Sequence, residues 1–213
     1  MQDGAFSPEE ALRHLRSVDP TLGALIERVG PYNPPRRPEP YTALMRAILF
    51  QQLAGAAANA IQKRFYALYS EDGRPPTPRE VLETTDDQFR SAGVSRQKAA
   101  YLRDLAAHVV DGRLDLAALP AMSDEEVIRR VTAVKGLGEW SAHMFLMFHL
   151  GRPDVLPVGD LGVRNGMRLT YKLPELPTPA RAREIGAPWA PYRSVGSWYM
   201  WRAAEAAITQ PDI

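Results

Sequence analysis

The chain has 213 residues, 45% hydrophobic and 24% charged, which is typical of a soluble globular protein with a sizeable core. It contains no cysteine, which excludes disulfide scaffolds, cysteine nucleophiles, cysteine-bound zinc and iron–sulfur clusters. No apolar run reaches the roughly 20 residues of a membrane span, and the N-terminal sequence lacks a basic and apolar secretory signal, so we expect neither. The formal net charge of +1 leaves the class of partner open.

Helix signals recur along the whole chain. Ser7 is followed by Pro8 and then by Glu10, which is a capping box with proline at the first helical position. The same type of helix start returns at Thr77, Thr85 and Ser123. No segment alternates apolar and polar residues between hairpin turn residues. The pattern therefore predicts an all-α protein of about ten short helices.

Two irregular segments divide this helical pattern. Residues 31–40 are rich in proline and follow an N-terminal pair of helices, and residues 172–180 precede the last helices. We find no internal repeat and no low-complexity tail. We interpret the chain as a single helical domain with two lobes around a cleft. The first lobe comprises residues 1–40 and 170–213, and the second comprises about 41–169.

The sharpest local signal is a tight helical hairpin within residues 124–151. Its two amphipathic helices are joined by residues 134–138, in which Gly136 and Gly138 supply unusual backbone conformations and Leu137 can turn inward. Exposed glycine N–H groups at the start of a helix favour a phosphate, and Lys135 adds positive charge. A plain αα-hairpin with a glycine-dependent turn would show the same pattern.

The hairpin sequence VKGLGEWSAHMF resembles the helix–hairpin–helix of the DNA glycosylase superfamily. LPVGDLGVR (156–164) resembles the Pro/Gly-rich loop that ends in the essential aspartate of that superfamily. The resemblance extends over residues 40–205 and is closest to the alkylation-repair branch, 3-methyladenine DNA glycosylase II. It begins too early in the chain to leave room for the separate N-terminal β domain of some members, and this domain is expected to be absent.

The resemblance implies that Asp160 is the catalytic carboxylate. From residue type alone, an N-cap of the helix over residues 161–170 would be the better interpretation, and the two roles are compatible. Cleavage of an N-glycosidic bond builds positive charge on the deoxyribose, which a fixed carboxylate stabilises. In the lyase branch a lysine lies two residues after the second hairpin glycine. Trp140 occupies that position here, so hydrolysis without strand cleavage is expected.

Aromatic residues are the candidates for the base pocket. An alkylated purine is cationic, and tryptophan attracts cations most strongly among aromatic side chains. By resemblance, Trp140 and Trp201 align with pocket tryptophans, and Met144 stands where relatives have an aromatic residue. Neighbours by helical spacing complete the candidate pocket: Phe145 and Trp198. Core packing is the alternative for each tryptophan, and it is favoured outright for Trp189.

The remaining candidates concern DNA and ions. Relatives fill the gap left by a flipped base with a side chain from the turn that resembles Gln51–Leu53, so Gln52 or Leu53 is the predicted wedge. The predicted DNA contacts also include Lys135, Gly136, Leu137, Gly138, Arg164 and Arg193. No His, Asp and Glu cluster indicates a metal centre, and His108 is predicted to lie on a helix surface. The family hairpin holds Na⁺ or K⁺ through backbone carbonyls, which here belong to Thr132, Val134 and Leu137.

Together these features predict a monofunctional DNA glycosylase that flips alkylated purines such as 3-methyladenine out of duplex DNA. It would leave an abasic site for base excision repair and would need no cofactor. The alternatives are a glycosylase for oxidised or deaminated bases, a non-catalytic helix–hairpin–helix module that binds DNA, and a helical adaptor between proteins. We expect a monomer that binds double-stranded DNA and no membrane, in the bacterial cytoplasm with the nucleoid or in a eukaryotic nucleus.

Overall fold

The computed structural model of the protein describes residues 6–34 and 39–209. Within these ranges it contains α-helices, two short 3₁₀ turns and no β-strand, which confirms the all-α prediction. The helices are α1 (Pro8–Val18), α2 (Pro20–Val29), α3 (Pro40–Phe50), α4 (Gly55–Ala67), α5 (Pro78–Glu83), α6 (Asp86–Ser91), α7 (Arg96–Val110), α8 (Asp124–Thr132), α9 (Glu139–Phe148), α10 (Leu161–Thr170), α11 (Pro179–Gly186) and α12 (Arg193–Thr209). None of these described helices is long and apolar enough to cross a membrane.

The predicted helix starts have the expected capping contacts. Thr77 and Thr85 each accept a hydrogen bond from the backbone N–H three residues later, and the side chains of Glu80 and Gln88 return the contact. At α1 and α8 the serine before the helix accepts from the third residue's N–H. Each such cap stabilises its helix by about 1 kcal/mol, so these short segments are helical for local reasons.

The chain divides into two compact units, which we call unit 1 and unit 2. Unit 1 comprises residues 1–36 and 146–213, and unit 2 comprises residues 37–145. The sequence instead predicts a second lobe that extends to residue 169. The division differs because α10 packs closely on α12 within unit 1, where a Cβ on Gly166 would lie 2.0 Å from the Met200 carbonyl oxygen.

Unit 1 has its own apolar core, built from α1, α2, α10, α11 and α12. The largest fully buried side chain is Trp189, whose Nε1–H donates to Asp19 Oδ2 over 2.9 Å. The Tyr171 hydroxyl donates to the same oxygen, and Asp19 Oδ1 caps α2 by accepting from the Leu22 N–H. Burial and the hydrogen bond to Asp19 raise the pKa of Tyr171, which keeps its hydroxyl a donor. These contacts join α2 to the segments that follow α10.

The loop before α10 is held by the start of α12. Ser194 Oγ accepts from the Val155 N–H over 2.9 Å and donates to the Arg152 carbonyl over 2.7 Å. Arg193 forms a two-point ion pair with Asp154, at 2.7 and 2.8 Å. This pairing raises the pKa of the Arg193 guanidinium. The start of α12 therefore fixes residues 152–155 of the loop that leads to Asp160.

Unit 2 is organised around α7, its longest helix. α7 packs against α3, α5 and α6. Its core includes the rings of Phe65 and Phe89, which stack with centroids 5.5 Å apart. Arg103 donates to Asp86 and to the Thr84 carbonyl, which ties the junction between α5 and α6 to α7.

Candidate functional site

The turn between α8 and α9 in unit 2 is built around one obligatory glycine. Gly136 has a φ of +85°, and a Cβ there would lie 2.2 Å from a ring atom of Tyr101. Leu137 is buried, and its N–H donates to the Val134 carbonyl over 3.1 Å. The Leu137 side chain thus points inward, as the sequence predicts, and the turn needs glycine at 136 for two separate reasons.

Neither backbone conformation nor internal packing requires a glycine at position 138, in contrast to position 136. The φ of Gly138 is not in the left-handed region, although the sequence analysis expected both glycines to supply unusual backbone conformations. A Cβ at this position would meet no heavy atom within 4 Å. Its carbonyl accepts the Ala142 N–H at the start of α9. Because packing within the protein does not require this glycine, the missing side chain leaves the backbone at a helix N-terminus open to an outside group, which the helix dipole prefers to be an anion.

Lys135 is the basic residue of the turn. Its side chain is mostly exposed, with Nζ 4.0 Å from Asp104 Oδ1, and its N–H donates to Asp104 Oδ2 over 2.8 Å. Because the Lys135 end of this pair is exposed and the separation is long, the pair contributes little to stability.

Helix α7 also fixes the turn that follows α3. Lys98 Nζ donates to the carbonyls of Leu49 and Gln51 over 2.6 and 2.9 Å, and desolvation lowers the pKa of Lys98. Gln51 Nε2 donates to the Gly136 carbonyl over 2.6 Å. The turn after α3 and the α8–α9 turn are therefore linked directly and through α7. The sequence does not single out the supporting residues Gln51, Lys98, Tyr101 and Asp104, although all four lie within the resemblance over residues 40–205.

The two candidate wedge residues lie on this braced turn. Gln52 is exposed and has a φ of +57°, a left-handed conformation that is uncommon for a residue with a side chain. Leu53 is an apolar residue with 38% of its surface exposed. Backbone strain of this kind persists only where the surroundings impose it, and it clusters at functional sites.

In unit 1, Asp160 caps α10, as residue type alone predicts. Its Oδ1 accepts from the Val163 N–H over 2.7 Å and from the Trp201 Nε1–H over 2.8 Å, and only 9% of the residue is exposed. The ring of Trp201 stacks on Phe148, with centroids 5.3 Å apart. The structure therefore brings together two residues that the sequence assigned to the same site, Asp160 and Trp201.

The other predicted pocket residues differ in how much of each side chain is exposed. Trp140, at the start of α9, is 49% exposed, and Met144 is half-buried. Phe145 is buried and presents little surface. Trp198 is only 6% exposed and its ring contacts Tyr32 and Tyr199 in the core of unit 1, which favours the alternative of core packing. We therefore do not retain Phe145 and Trp198 in the candidate pocket.

Several predicted surface residues have internal partners. Arg164 Nε donates to the Pro177 carbonyl over 2.7 Å, and Arg193 is paired with Asp154. The pairing with Asp154 gives Arg193 a structural role, and its predicted phosphate contact stays a prediction. His108 is buried, contrary to the prediction, because its Nδ1 faces the Asp104 carbonyl and its Nε2 faces Arg113.

The described residues contain no group of three or more His, Cys, Asp or Glu side chains that could hold a metal ion. For the predicted Na⁺ or K⁺ site, the Val134 carbonyl already accepts the Leu137 N–H, and the Thr132 hydroxyl donates to the Ile128 carbonyl. A carbonyl oxygen has a second lone pair, so this internal bond is compatible with an ion.

Comparison with known proteins identifies the family. The family model of the HhH-GPD superfamily of base excision DNA repair proteins matches residues 45–191. DNA-3-methyladenine glycosylase 1 of Schizosaccharomyces pombe is 37% identical over 93% of this chain and 89% of its own. The solved structure of the 3-methyladenine DNA glycosylase of that yeast with abasic DNA covers 92% of this chain and 97% of its own, with a TM-score of 0.84 and 36% identity.

A bacterial structure agrees with this assignment. DNA-3-methyladenine glycosidase from Bacillus halodurans covers 96% of this chain and 92% of its own, with a TM-score of 0.84 and 36% identity. The matched residues 45–191 include both the α8–α9 turn and Asp160. The chain belongs to the HhH-GPD superfamily of base excision DNA repair proteins.

Proposed function

We propose that the protein is a DNA glycosylase that hydrolyses the N-glycosidic bond of alkylated purines such as 3-methyladenine and leaves an abasic site for base excision repair. The observation that carries the proposal is the nearly buried Asp160 carboxylate, which lies within the family segment and is fixed by the Val163 N–H and the Trp201 indole N–H. The relatives named for 3-methyladenine support alkylated purines as the substrate class.

Asp160 supplies the chemistry. As the base departs, positive charge develops on the deoxyribose, and a carboxylate that is already in place stabilises this charge without reorganising. The same group can orient or deprotonate the attacking water. No lysine occupies the position two residues after Gly138, where Trp140 stands, so we propose hydrolysis without a covalent sugar intermediate.

Unit 2 supplies the DNA contacts. We propose that a phosphate of the duplex lies against the open backbone at Gly138 and near Lys135. The turn after α3 fills the gap left by the flipped base, and we favour Gln52 over Leu53 as the wedge because of its imposed left-handed backbone. An ion held by the carbonyls of Thr132, Val134 and Leu137 would reinforce the α8–α9 turn. We also propose that the protein acts as a monomer, in whichever compartment contains the DNA, the bacterial cytoplasm or the nucleus.

Trp140 is the proposed aromatic surface for the cationic base. Cation–π attraction contributes roughly 0.5–2 kcal/mol, so we expect Trp140→Ala to slow excision of 7-methylguanine roughly 2- to 30-fold. Trp140→Phe retains a weaker aromatic face, so its excision rate should lie between those of the wild type and Trp140→Ala. For neutral hypoxanthine the same substitutions should have smaller effects. Single-turnover rates on both duplexes test this, and equal losses for charged and neutral bases would contradict a cation-selective role.

The proposed function is tested by a panel of duplexes, each with one altered base. The panel contains 3-methyladenine, 7-methylguanine, 1,N6-ethenoadenine, hypoxanthine and 8-oxoguanine, and free base is measured for each. We expect release of the alkylated purines to be fastest. Preferential release of hypoxanthine or 8-oxoguanine would move the protein to the deaminated- or oxidised-base class, and duplex binding with no release of any base would favour a non-catalytic module.

A further inference from the structure

Trp201 contacts Asp160 through the edge of its ring and not through a face. The indole Nε1–H donates to Asp160 Oδ1 over 2.8 Å, while the ring lies on Phe148 with the two planes inclined by 30°. The same oxygen accepts the Val163 N–H over 2.7 Å. One donor belongs to α10 and the other to α12, so together they fix both the position and the rotation of the carboxylate.

Gly162 makes room for this contact. A Cβ on Gly162 would lie 2.8 Å from Trp201 Cδ1, 3.0 Å from Nε1 and 3.1 Å from Asp160 Oδ1. The distance of 2.8 Å to Cδ1 is shorter than real Cβ atoms allow, so a side chain here would push the indole away from the carboxylate. One turn later, Gly166 lets the Met200 backbone approach α10. The two glycines together allow α12 to pack closely against α10 beside the Trp201 indole.

We propose that Gly162 and Trp201 are positioning residues for the catalytic carboxylate, with the glycine admitting the indole and the indole N–H holding Asp160 in its working orientation. This inference rests on the proposed function, in which Asp160 is the catalytic group. The sequence predicts Trp201 as a surface on which the base stacks, whereas here its role is to position Asp160. Displacement of a reacting group by about 1 Å can slow a reaction on the order of 10²-fold, so loss of this hydrogen bond should affect the rate.

Unit 1 contains a matched control for this bond. Trp189 Nε1–H donates to Asp19 Oδ2, and Asp19 caps α2 in the way that Asp160 caps α10. Trp189→Phe and Trp201→Phe therefore each remove one indole donor from a capping aspartate and keep an aromatic ring. Only Trp201→Phe alters the carboxylate to which we assign the reaction.

The test compares Trp201→Phe, Gly162→Ala and Trp189→Phe on a duplex with one 7-methylguanine. We expect the first two to lower the single-turnover rate constant about 10- to 100-fold with duplex Kd within about twofold of wild type. Trp189→Phe should lower Tm but not the rate constant of the folded protein. A wild-type rate for Trp201→Phe, or a loss confined to Kd or to Tm, would overturn the proposal in favour of base stacking or simple packing.

A second measurement needs no activity. In a ¹H–¹⁵N spectrum of the wild type, the indole resonance of Trp201 is identified by its absence in Trp201→Phe. It should move in Asp160→Ala, which removes the acceptor oxygen, while the resonance of Trp189 stays in place. Asp19→Ala should have the reverse effect. An unmoved Trp201 resonance in Asp160→Ala overturns the proposed contact. A wild type that releases no base contradicts the proposed function, and this spectrum still decides whether the contact exists.

Discussion

Asp160→Asn is expected to lower the rate of base release on the order of 10³-fold while the protein stays folded and binds duplex DNA. Asparagine caps helices as well as aspartate does, and its amide oxygen can accept the same hydrogen bonds from Val163 and Trp201. The substitution therefore removes the negative charge and little else. The rate should be measured with enzyme in excess over a 7-methylguanine duplex, and binding by titration of the same duplex.

The control for this substitution is Asp160→Ala. Alanine removes the charge and also the cap, so it should lose the same activity and, in addition, about 1 kcal/mol of unfolding free energy. Equal activity of Asp160→Asn and the wild type would remove the catalytic role of this carboxylate. Loss of duplex binding in Asp160→Asn would instead place the residue in DNA binding.

Gly136→Ala and Gly138→Ala are expected to weaken duplex binding in two distinguishable ways. At Gly136 the left-handed φ penalises alanine by roughly 1–2 kcal/mol, and the new methyl group would overlap the Tyr101 ring. This variant should therefore lose both stability and DNA affinity. At Gly138 there is space for a methyl group within the protein, so stability should hardly change. The methyl group would block the approach of a phosphate, and loss of a hydrogen bond to a charged group should weaken binding roughly tenfold or more.

Two further measurements separate these effects. Adding Tyr101→Ala to Gly136→Ala removes the overlap and should restore part of the unfolding free energy measured by urea titration. Binding of Gly138→Ala at several salt concentrations should have a shallower dependence on salt, since a phosphate contact is lost. Unchanged affinity and salt dependence in Gly138→Ala would show that no phosphate lies at this glycine.

The parts of this fold that follow from local chemistry could be predicted from the sequence. Ser7, Thr77, Thr85 and Ser123 all cap helices because their side chains meet backbone N–H groups only three residues away. Residue type predicts Asp160 as a cap in the same way, and the family resemblance implies its catalytic role. The inward orientation of Leu137 also follows from its place in a tight turn between two amphipathic helices.

Contacts between distant segments could not be predicted in this way. The bond from Gln51 to the Gly136 carbonyl joins residues 85 positions apart, and the bond from Trp201 to Asp160 spans 41. The bond from Trp201 to Asp160 depends on Gly162. The need for a glycine at this position becomes apparent only when α12 is packed against α10. Helical periodicity could not separate Trp198 from Trp201, because α12 is buried on several sides and lacks a clear polar face.

The most direct test of the account follows the products of the wild-type protein on a duplex with one 7-methylguanine. At each time point, free base is measured and the DNA strands are resolved with and without alkali. We predict that free 7-methylguanine and abasic strand form in equal amounts, with strand breaks only after alkali. A base that remains attached to its strand, or a strand that breaks before alkali is added, would contradict simple hydrolysis of the N-glycosidic bond.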